Sequence, residues 1–335
     1  MDPAKPRIAV IGTGGSISTP GRNSLDLFEY SDHGVTLEID ELLELIPEAL
    51  QFADVQPVRF RTLLSPLIGP RDWLDLNRLV HELVERDPEL QGIVVTHGTA
   101  TLEETAYFLN LAVKVSVPVV IVGSQRPPNG LSSDAGVNMV NAIRVAASHE
   151  ARGLGVVTLL NDEIQAAREV TKGSTHRLEA FRAPDLGLLG YADPDGRIAI
   201  YRSPTRRHAP DTEFSVRDLE SLPRVDIAYS YAGADGAAID AFVSAGARAI
   251  VSAGQAPGRV TADELRALLD ARRQGIVVVQ ATRAGSGRVQ KRAQYRNQEF
   301  VPADNLNPQK ARILAMLALT VTNDLGEIER MFDEY

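Results

Sequence analysis

Apolar, largely β-branched runs of six or seven residues recur along the first half of the chain. They are RIAVIG (7–12), GIVVTHG (92–98), VPVVIVG (117–123) and LGVVTLL (154–160). Between them, apolar residues from Trp73 to Val84 and from Ala135 to Ala147 repeat at helical spacing. Strands that are apolar throughout and alternate with helices are typical of a parallel sheet covered on both faces. The pattern predicts an α/β fold with a larger N-terminal domain, residues 1–190, built on a doubly wound, mostly parallel sheet.

The pattern loosens after Gly190 and resumes further on. Residues 191–215 are rich in Pro, Asp and Arg, so a linker is predicted there. Strand-like runs follow at 225–231, 247–254 and 275–282, with helical patterns near 235–245 and 261–273. A last helix is expected to be capped by Asn307, with Pro308 in its first turn. These elements predict a smaller C-terminal α/β domain over residues 216–335.

Composition narrows the class of protein. The chain has 335 residues, longer than the size at which single cores stop growing, which agrees with two domains. The net charge of −9 offers no basic surface for nucleic acid or for an anionic membrane. There is no cysteine, no apolar run long enough to span a bilayer, and no signal-peptide pattern at the start. A cytoplasmic protein without nucleic-acid or membrane partners is expected.

A glycine-rich turn follows the first predicted strand in IGTGGSIS (11–18). Glycines let a backbone approach a ligand closely and direct its N–H groups at an anion. A dinucleotide-binding fingerprint would need a third glycine where the chain has Ile17. What remains is the hydroxyl of Ser16 at the end of a strand, and on this segment alone an ordinary turn serine is the favoured explanation.

A second polar turn lies in VVTHGTATLEE (94–104). Thr99 precedes a helix start, predicted from a capping box of Thr101 with Glu104. A reactive hydroxyl there needs a base, and the candidates are His97 and a lysine of depressed pKa such as Lys172. A histidine at a strand end is also a common structural hydrogen-bonding residue, and most lysines are solvated.

Together these motifs resemble the bacterial L-asparaginase family. The shared segments are TGGSI (13–17), VVTHGTATLEETAYFL (94–109), VGSQRPPNGLSSDAGVNMVNA (122–142), NDEIQAAREVTK (161–172), VDIAYSYAGADG (225–236) and LNPQKARILAMLALT (306–320). They cover nearly the whole chain, and the ordered set is specific where TGGSI alone is weak. The resemblance implies a two-domain amidohydrolase without metal or cofactor. It also implies a homo-oligomer, a dimer or tetramer, in which a neighbouring subunit completes the active site at the switch point of the sheet.

The resemblance also implies a role for each matching residue. Ser16 takes the place of the first catalytic hydroxyl, usually a threonine, and Tyr30 matches its hydroxyl partner in a mobile loop. Thr99 and Lys172 match the second hydroxyl and the lysine. Ser65 in TLLSPLIG matches the serine that binds the α-carboxylate of the substrate.

These roles imply an acyl-transfer reaction in which a hydroxyl attacks the amide carbonyl. Ser16 would be deprotonated through Tyr30 or through the second hydroxyl and the lysine, and which of the two hydroxyls attacks stays open. Backbone amides of the turns at Gly15 and Gly98 are expected to stabilise the oxyanion.

Four departures from the family pattern bear on the substrate. After HGT the family carries an aspartate that binds the α-amino group of asparagine, and this chain has Ala100. Pro66 replaces a polar residue, GQAPG (254–258) replaces an asparagine-containing loop, and the subunit-borne glutamate aligns near Arg292. Because an unpaired buried ammonium costs several kcal/mol, the substrate is expected to be a small amide or lactam without a free α-amino group. The alternatives are a genuine L-asparaginase, a non-catalytic ligand-binding homologue and, from another class, a nucleotide-dependent oxidoreductase.

Overall fold

The structure, a computed structural model, describes residues 4–33 and 35–335. The chain divides into two compact units, one up to Thr212 and the other from Glu213 to Tyr335. Both are α/β units, as predicted, with the larger sheet in the N-terminal one.

Ten strands and four α-helices make up the regular structure described in the N-terminal unit. In chain order they are β1 (Arg7–Gly14), α1 (Ile39–Glu44), β2 (Asp54–Leu63), α2 (Pro70–Arg86), β3 (Leu90–Thr96), α3 (Leu102–Ala112), β4 (Val119–Val122), α4 (Ala135–Ala147), β5 (Val156–Leu160), β6 (Glu163–Ala166), β7 (Thr171–Lys172), β8 (Phe181–Arg182), β9 (Gly190–Ala192) and β10 (Ile198–Ile200). Short 3₁₀ helices lie at Ser16–Ser18, Tyr30–His33, Pro47–Gln51 and Ser65–Leu67.

The main sheet has the strand order β10-β9-β6-β5-β4-β3-β1-β2. The five strands from β5 to β2 are parallel, and β6, β9 and β10 extend the sheet in antiparallel fashion. Strand β1 has no solvent exposure from Ile8 to Ile11, as its apolar run predicts for a strand covered on both faces. Met139 of α4 belongs to the core on one face, and Trp73 of α2 stacks on Phe108 of α3 at 5.4 Å.

The linker predicted over residues 191–215 needs a correction at its start. Strand β9 pairs with β6 and β10 pairs with β9, so residues 190–200 belong to the main sheet. The division between the units, after Thr212, falls inside the predicted linker and close to its end at residue 215. The sequence indicates a short strand at 197–202 inside the linker but not its place in the sheet, because strands of three residues are too short to show a hydrophobic period.

The C-terminal unit is a four-stranded parallel sheet with helices. Its elements are β11 (Val225–Tyr229), α5 (Ala237–Ser244), β12 (Ala249–Gly254), α6 (Ala262–Arg273), β13 (Val277–Thr282), α7 (Ala293–Gln298), β14 (Phe300–Pro302), α8 (Pro308–Val321) and α9 (Leu325–Glu334). The strands lie in the order β11-β12-β13-β14. Ile239, Leu268 and Val278 form part of its core. Asn307 caps α8 as predicted, by accepting a hydrogen bond from the amide of Lys310.

Candidate active site

The candidate site of the N-terminal unit lies where the strand order reverses. Strand β1 sits between β2 and β3, so the chain leaves it to opposite sides at this point. In open parallel sheets, ligands bind outside the carboxyl ends of the strands at such a switch point. Ser16 follows the end of β1 and Thr99 follows the end of β3. The two hydroxyls singled out in the sequence therefore belong to the turns that form this crevice.

Close contact between glycines brings the two turns together. Gly15 has φ of +86°, and a Cβ built on it would lie 2.2 Å from the amide nitrogen of Gly98. A Cβ on Gly98 would lie 2.6 Å from Oγ of the buried Ser65. No side chain larger than hydrogen fits at either position. The glycines thus bring the turns after β1 and β3 against each other and place Ser65 beside them.

Ser16 and Tyr30 form the first hydroxyl pair. The phenol of Tyr30, from the 3₁₀ helix Tyr30–His33, donates a hydrogen bond of 2.7 Å to Oγ of Ser16. Both residues are half-buried. Burial raises the pKa of Tyr30, the hydrogen bond to Ser16 opposes this rise, and the negative charge of Asp134 adds to it. A raised pKa keeps the phenol protonated at neutral pH, so in this geometry it serves as a hydrogen-bond donor to Ser16.

Thr99 and Lys172 form the second pair. Nζ of Lys172, in strand β7, donates a hydrogen bond of 2.7 Å to Oγ1 of the buried Thr99. Burial lowers the pKa of Lys172 below its ordinary value. Across residues 4–33 and 35–335, no carboxylate forms an ion pair with this amine that would reverse the shift. A lysine of lowered pKa can lose its proton and accept the proton of the neighbouring hydroxyl.

Glu103 holds the strand that carries the lysine, a role that the sequence reasoning missed. Its buried carboxylate accepts hydrogen bonds from the hydroxyl of Thr171 at 3.0 Å and from the amide of Lys172 at 3.2 Å. The available signal was its place on the buried face of α3, three and four residues ahead of Ala106 and Tyr107. An acidic residue on the apolar face of a helix is rarely left without a partner.

His97 is a structural residue. It has no solvent exposure, its Nδ1 lies 2.8 Å from the carbonyl oxygen of Gly98, and its Nε2 lies 2.8 Å from Oγ1 of Thr105. The indole of Trp73 donates to the same threonine at 2.9 Å. Burial lowers the pKa of His97 to about 4, against the weaker opposing effect of the Gly98 carbonyl. Its ring nitrogens are both occupied, which leaves Lys172 as the base candidate.

The predicted capping box of Thr101 with Glu104 is wrong. Helix α3 begins at Leu102 after Thr101, but the hydroxyl of this threonine makes no capping hydrogen bond. It donates instead to the carbonyl oxygen of Ser65 at 2.7 Å. The hydroxyl that was predicted to cap the helix thus makes a tertiary hydrogen bond instead. This hydrogen bond holds the turn that carries Ser65 beside the switch point.

Ala100 presents a methyl group between Thr99 and Thr101, and the residue is exposed. The structure thus brings together Ser16 with Tyr30, Thr99 with Lys172, and Gly15, Gly98 and Ser65. GQAPG and Arg292 lie in the C-terminal unit. No group of three or more His, Asp or Glu side chains is arranged to hold a metal ion in the part of the chain that the structure describes. None of the helices described there is long and apolar enough to cross a membrane.

Comparison with known protein families shows to which family the chain belongs. The family description "Asparaginase, N-terminal" matches residues 7–206, and "Glutaminase/Asparaginase C-terminal domain" matches residues 224–332. The chain belongs to the asparaginase family. It is therefore an amidohydrolase of the L-asparaginase type, acting on the C–N bond of an amide, as its resemblance implied.

Individual relatives cover almost the full length of this asparaginase-family chain. It is 40% identical over 331 residues to "Glutaminase-asparaginase" of Pseudomonas fluorescens biotype A, with 98% of this chain and 90% of the relative covered. It is 41% identical over 330 residues to "L-asparaginase 2" of Bacillus subtilis, with 98% and 87% covered. A crystal structure described as a probable cytoplasmic L-asparaginase from Campylobacter jejuni superposes with a TM-score of 0.94, at 36% identity, and covers 99% of this chain and 100% of its own.

Proposed function

We propose that this amidohydrolase cleaves a small amide or lactam that lacks a free α-amino group. The observation that carries the proposal is Ala100, a methyl group next to the Thr99–Lys172 pair where the family resemblance leads one to expect an aspartate. A cationic substituent placed there would find no carboxylate on this residue. An ammonium group bound there would lack a charge-assisted contact, which contributes about 1.5 to 3 kcal/mol.

The state of Lys172 supports the same substrate class. Burial lowers its pKa, and no carboxylate is paired with it in the described residues. A second cation bound beside Thr99 would lower the pKa of Lys172 further. While the lysine is protonated, the two positive charges would also repel each other. A substrate without an ammonium group avoids this repulsion and leaves the lysine free to act as a base.

The proposed chemistry uses the residues already described. The hydroxyl of Ser16 attacks the amide carbonyl and passes its proton through Thr99 to Lys172, while the phenol of Tyr30 donates to the attacking oxygen. The tetrahedral oxyanion is stabilised by backbone amides of the turns at Gly15 and Gly98. Collapse breaks the C–N bond, and the departing amine takes the proton from the lysine. Water then hydrolyses the ester on Ser16, so the net reaction converts amide and water to acid and amine.

L-Asparagine is the second candidate substrate, because the relatives in Pseudomonas fluorescens and Bacillus subtilis carry glutaminase-asparaginase and L-asparaginase names. The retained Ser65, beside Gly98, fits either candidate, since both can carry a carboxylate. Succinamate, a substrate of the first class, differs from L-asparagine in the ammonium group alone.

The assembly and location proposed follow the resemblance. We infer a homo-oligomer, a dimer or tetramer, and a cytoplasmic enzyme that uses no cofactor and binds neither nucleic acid nor membrane. The crystal structure from Campylobacter jejuni is likewise described as that of a probable cytoplasmic L-asparaginase.

A screen of ammonia and acid release tests the proposal. Purified protein is assayed with succinamate, simple lactams, L-asparagine and L-glutamine, with the Ser16→Ala variant as the blank. Turnover of the desamino amides or lactams at rates matching or exceeding L-asparagine is expected. Turnover of L-asparagine or L-glutamine alone would select the second candidate, and no turnover of any amide would favour a non-catalytic homologue.

A further inference from the structure

A polar cavity of about 280 Å³ opens in the C-terminal unit. Its polar lining consists of Arg259, Gln280, Arg292, Gln294, Tyr295 and Gln298. The four other lining residues are a glycine and three apolar residues, so the wall contains two cations and no carboxylate. A concave surface with several convergent polar groups is typical of a ligand site.

The two arginines of the cavity lack acidic partners. In the described part of the chain, neither Arg259 nor Arg292 forms an ion pair with Asp or Glu. Two other arginines of the C-terminal unit do form ion pairs: Arg272 pairs with Glu299 at 3.2 Å, and Arg288 pairs with Asp304. Two like charges that share a cavity repel each other, and an anion bound between them removes this repulsion.

Tyr295 lines the same cavity as Arg259 and Arg292. Its buried hydroxyl donates a hydrogen bond of 2.9 Å to the carbonyl oxygen of Gly258. Burial raises the pKa of Tyr295, and the charges of Arg292 and Arg259 both act to lower it. The charges of two arginines from separate segments of the chain therefore act on one hydroxyl in the wall of the cavity.

The loop that carries Arg259 is held in a fixed backbone shape. The amide of Gln255 donates to the carbonyl oxygen of Arg259 at 2.6 Å, and the amide of Arg259 donates back to Gln255 at 2.6 Å. Gly258 has φ of +93°, and a Cβ on it would lie 3.0 Å from the hydroxyl of Tyr295. A loop fixed in this way holds the backbone of the exposed Arg259 in one position beside the cavity, which lowers the entropic cost of ordering the loop on binding.

We propose that this cavity binds the carboxylate of a small organic acid, with Arg259 and Arg292 as its cationic partners. A planar guanidinium donates two parallel hydrogen bonds to a carboxylate, and this charge-assisted geometry is stronger than a neutral contact. The side-chain amides of Gln294 and Gln298 supply further donors at the rim. A cavity of about 280 Å³ accommodates a molecule of the size of a four-carbon acid.

The site also bears on the substrate of the enzyme. The resemblance aligns Arg292 near the glutamate that a neighbouring subunit contributes to the family's active site, and GQAPG (254–258) directly precedes Arg259. Two cations in these segments, where the resemblance implies contacts with the substrate, favour an acidic substituent over an ammonium group on the substrate. This connection rests on the proposed function, whereas binding of an acid in the cavity does not.

Calorimetric titration of the full-length protein with succinate tests the inference, with neutral succinamide as the control ligand. The doubly substituted Arg259→Gln/Arg292→Gln protein should bind succinate at least about tenfold more weakly than the unmodified protein, because two charge-assisted contacts are lost. Arg296→Gln removes the same charge from an exposed residue of α7 outside the cavity, and it should bind succinate normally. Equal succinate affinity in the double variant, or equal binding of succinate and succinamide, would overturn the inference.

A second measurement needs no substitution. Crystals of the unmodified protein soaked in selenate should show an anomalous scattering peak between the guanidinium groups of Arg259 and Arg292, and peaks confined to other places would contradict the site. Neither experiment measures hydrolysis. A protein that binds succinate through these arginines but cleaves no amide would therefore refute the proposed function and retain the anion site.

Discussion

Nζ of Lys172 lies 2.7 Å from Oγ1 of Thr99, and the carboxylate of Glu103 accepts a hydrogen bond from the backbone amide of the same lysine at 3.2 Å. The amine is thus fixed on the threonine by its own strand, and burial lowers its pKa. The combination of fixed geometry and lowered pKa is what a general base requires.

The first prediction concerns the pH dependence of kcat/KM. The neutral amine is the active form, so kcat/KM should rise with pH through the pKa of Lys172, in a range below the ordinary value of 10.5. Lys172→Met should lower kcat by at least about a hundredfold and remove this rising limb. Lys5→Met, which removes an exposed lysine, is the control and should keep a normal kcat and the rising limb of the pH profile. A Lys172→Met enzyme with the same limb would assign the base to another group.

The second prediction concerns the attacking hydroxyl. Ser16→Ala should lower kcat by at least about a hundredfold, since it removes the nucleophile and leaves the turn intact. Ser16→Thr, which restores the hydroxyl usual in the family, should retain most of the activity. Mass spectrometry of protein quenched during turnover should find the acyl group on the peptide that contains Ser16. An acyl group on Thr99, or near-normal turnover by Ser16→Ala, would reverse the assignment.

The third prediction concerns stability and His97. Its folded pKa is about 4 and its ordinary value is 6.5, so between these values the unfolded chain binds a proton that the folded chain does not. The free energy of unfolding should therefore fall as pH is lowered from about 6.5 to about 4, by about 3 kcal/mol from this residue.

Trp73 provides the signal for that measurement. It is the one tryptophan of the sequence and donates to Thr105, the threonine that contacts His97. Urea unfolding followed by its fluorescence, at fixed protein concentration, should show a smaller acid loss for His97→Gln than for the unmodified protein. Equal losses in the two proteins would mean that His97 is not held neutral by burial.

The fourth prediction concerns assembly. The proposed site borrows residues from a neighbouring subunit, so the active form should be a dimer or tetramer of the 36.3 kDa chain. Light scattering at micromolar concentration, combined with activity measured on the same fractions, checks this. A monomer with full activity would show that one chain forms a complete site.

Much of the fold and part of the site followed from the sequence, for a physical reason. Helix α4 has the predicted bounds, Ala135–Ala147, because an apolar stripe at helical spacing is a local signal. Ser16 and Thr99 were singled out because each lies in a polar turn that follows a predicted strand, where α/β proteins bind ligands.

The remaining features depend on contacts between distant segments. The carboxylate of Glu103 accepts a hydrogen bond from Lys172 of strand β7, 69 positions away in the chain. The hydroxyl of Thr101 donates to the backbone of Ser65 instead of capping helix α3. The pairing that joins strands β9 and β10 to the main sheet likewise links separate segments. No local pattern encodes such contacts, so sequence periodicity could not reveal them.

The last prediction concerns Ala100 and compares two ligand classes. Ala100→Asp restores a carboxylate beside Thr99, and it should improve kcat/KM for L-asparagine by about 1 to 3 kcal/mol through a charge-assisted contact with the ammonium group. The same variant should lose activity on succinamate, which offers no cation to the new carboxylate. Ala100→Asn is the matched control, with nearly the shape of aspartate and no charge, and it should give L-asparagine little gain.

The most direct test of the account is the ratio of kcat/KM for succinamate to kcat/KM for L-asparagine, measured on the unmodified enzyme and on Ala100→Asp. A ratio of at least about one is expected for the unmodified enzyme, and a reversed preference is expected for the variant. An unmodified enzyme that prefers L-asparagine by about a hundredfold or more would contradict the account, because another group would then have to bind the amino substituent.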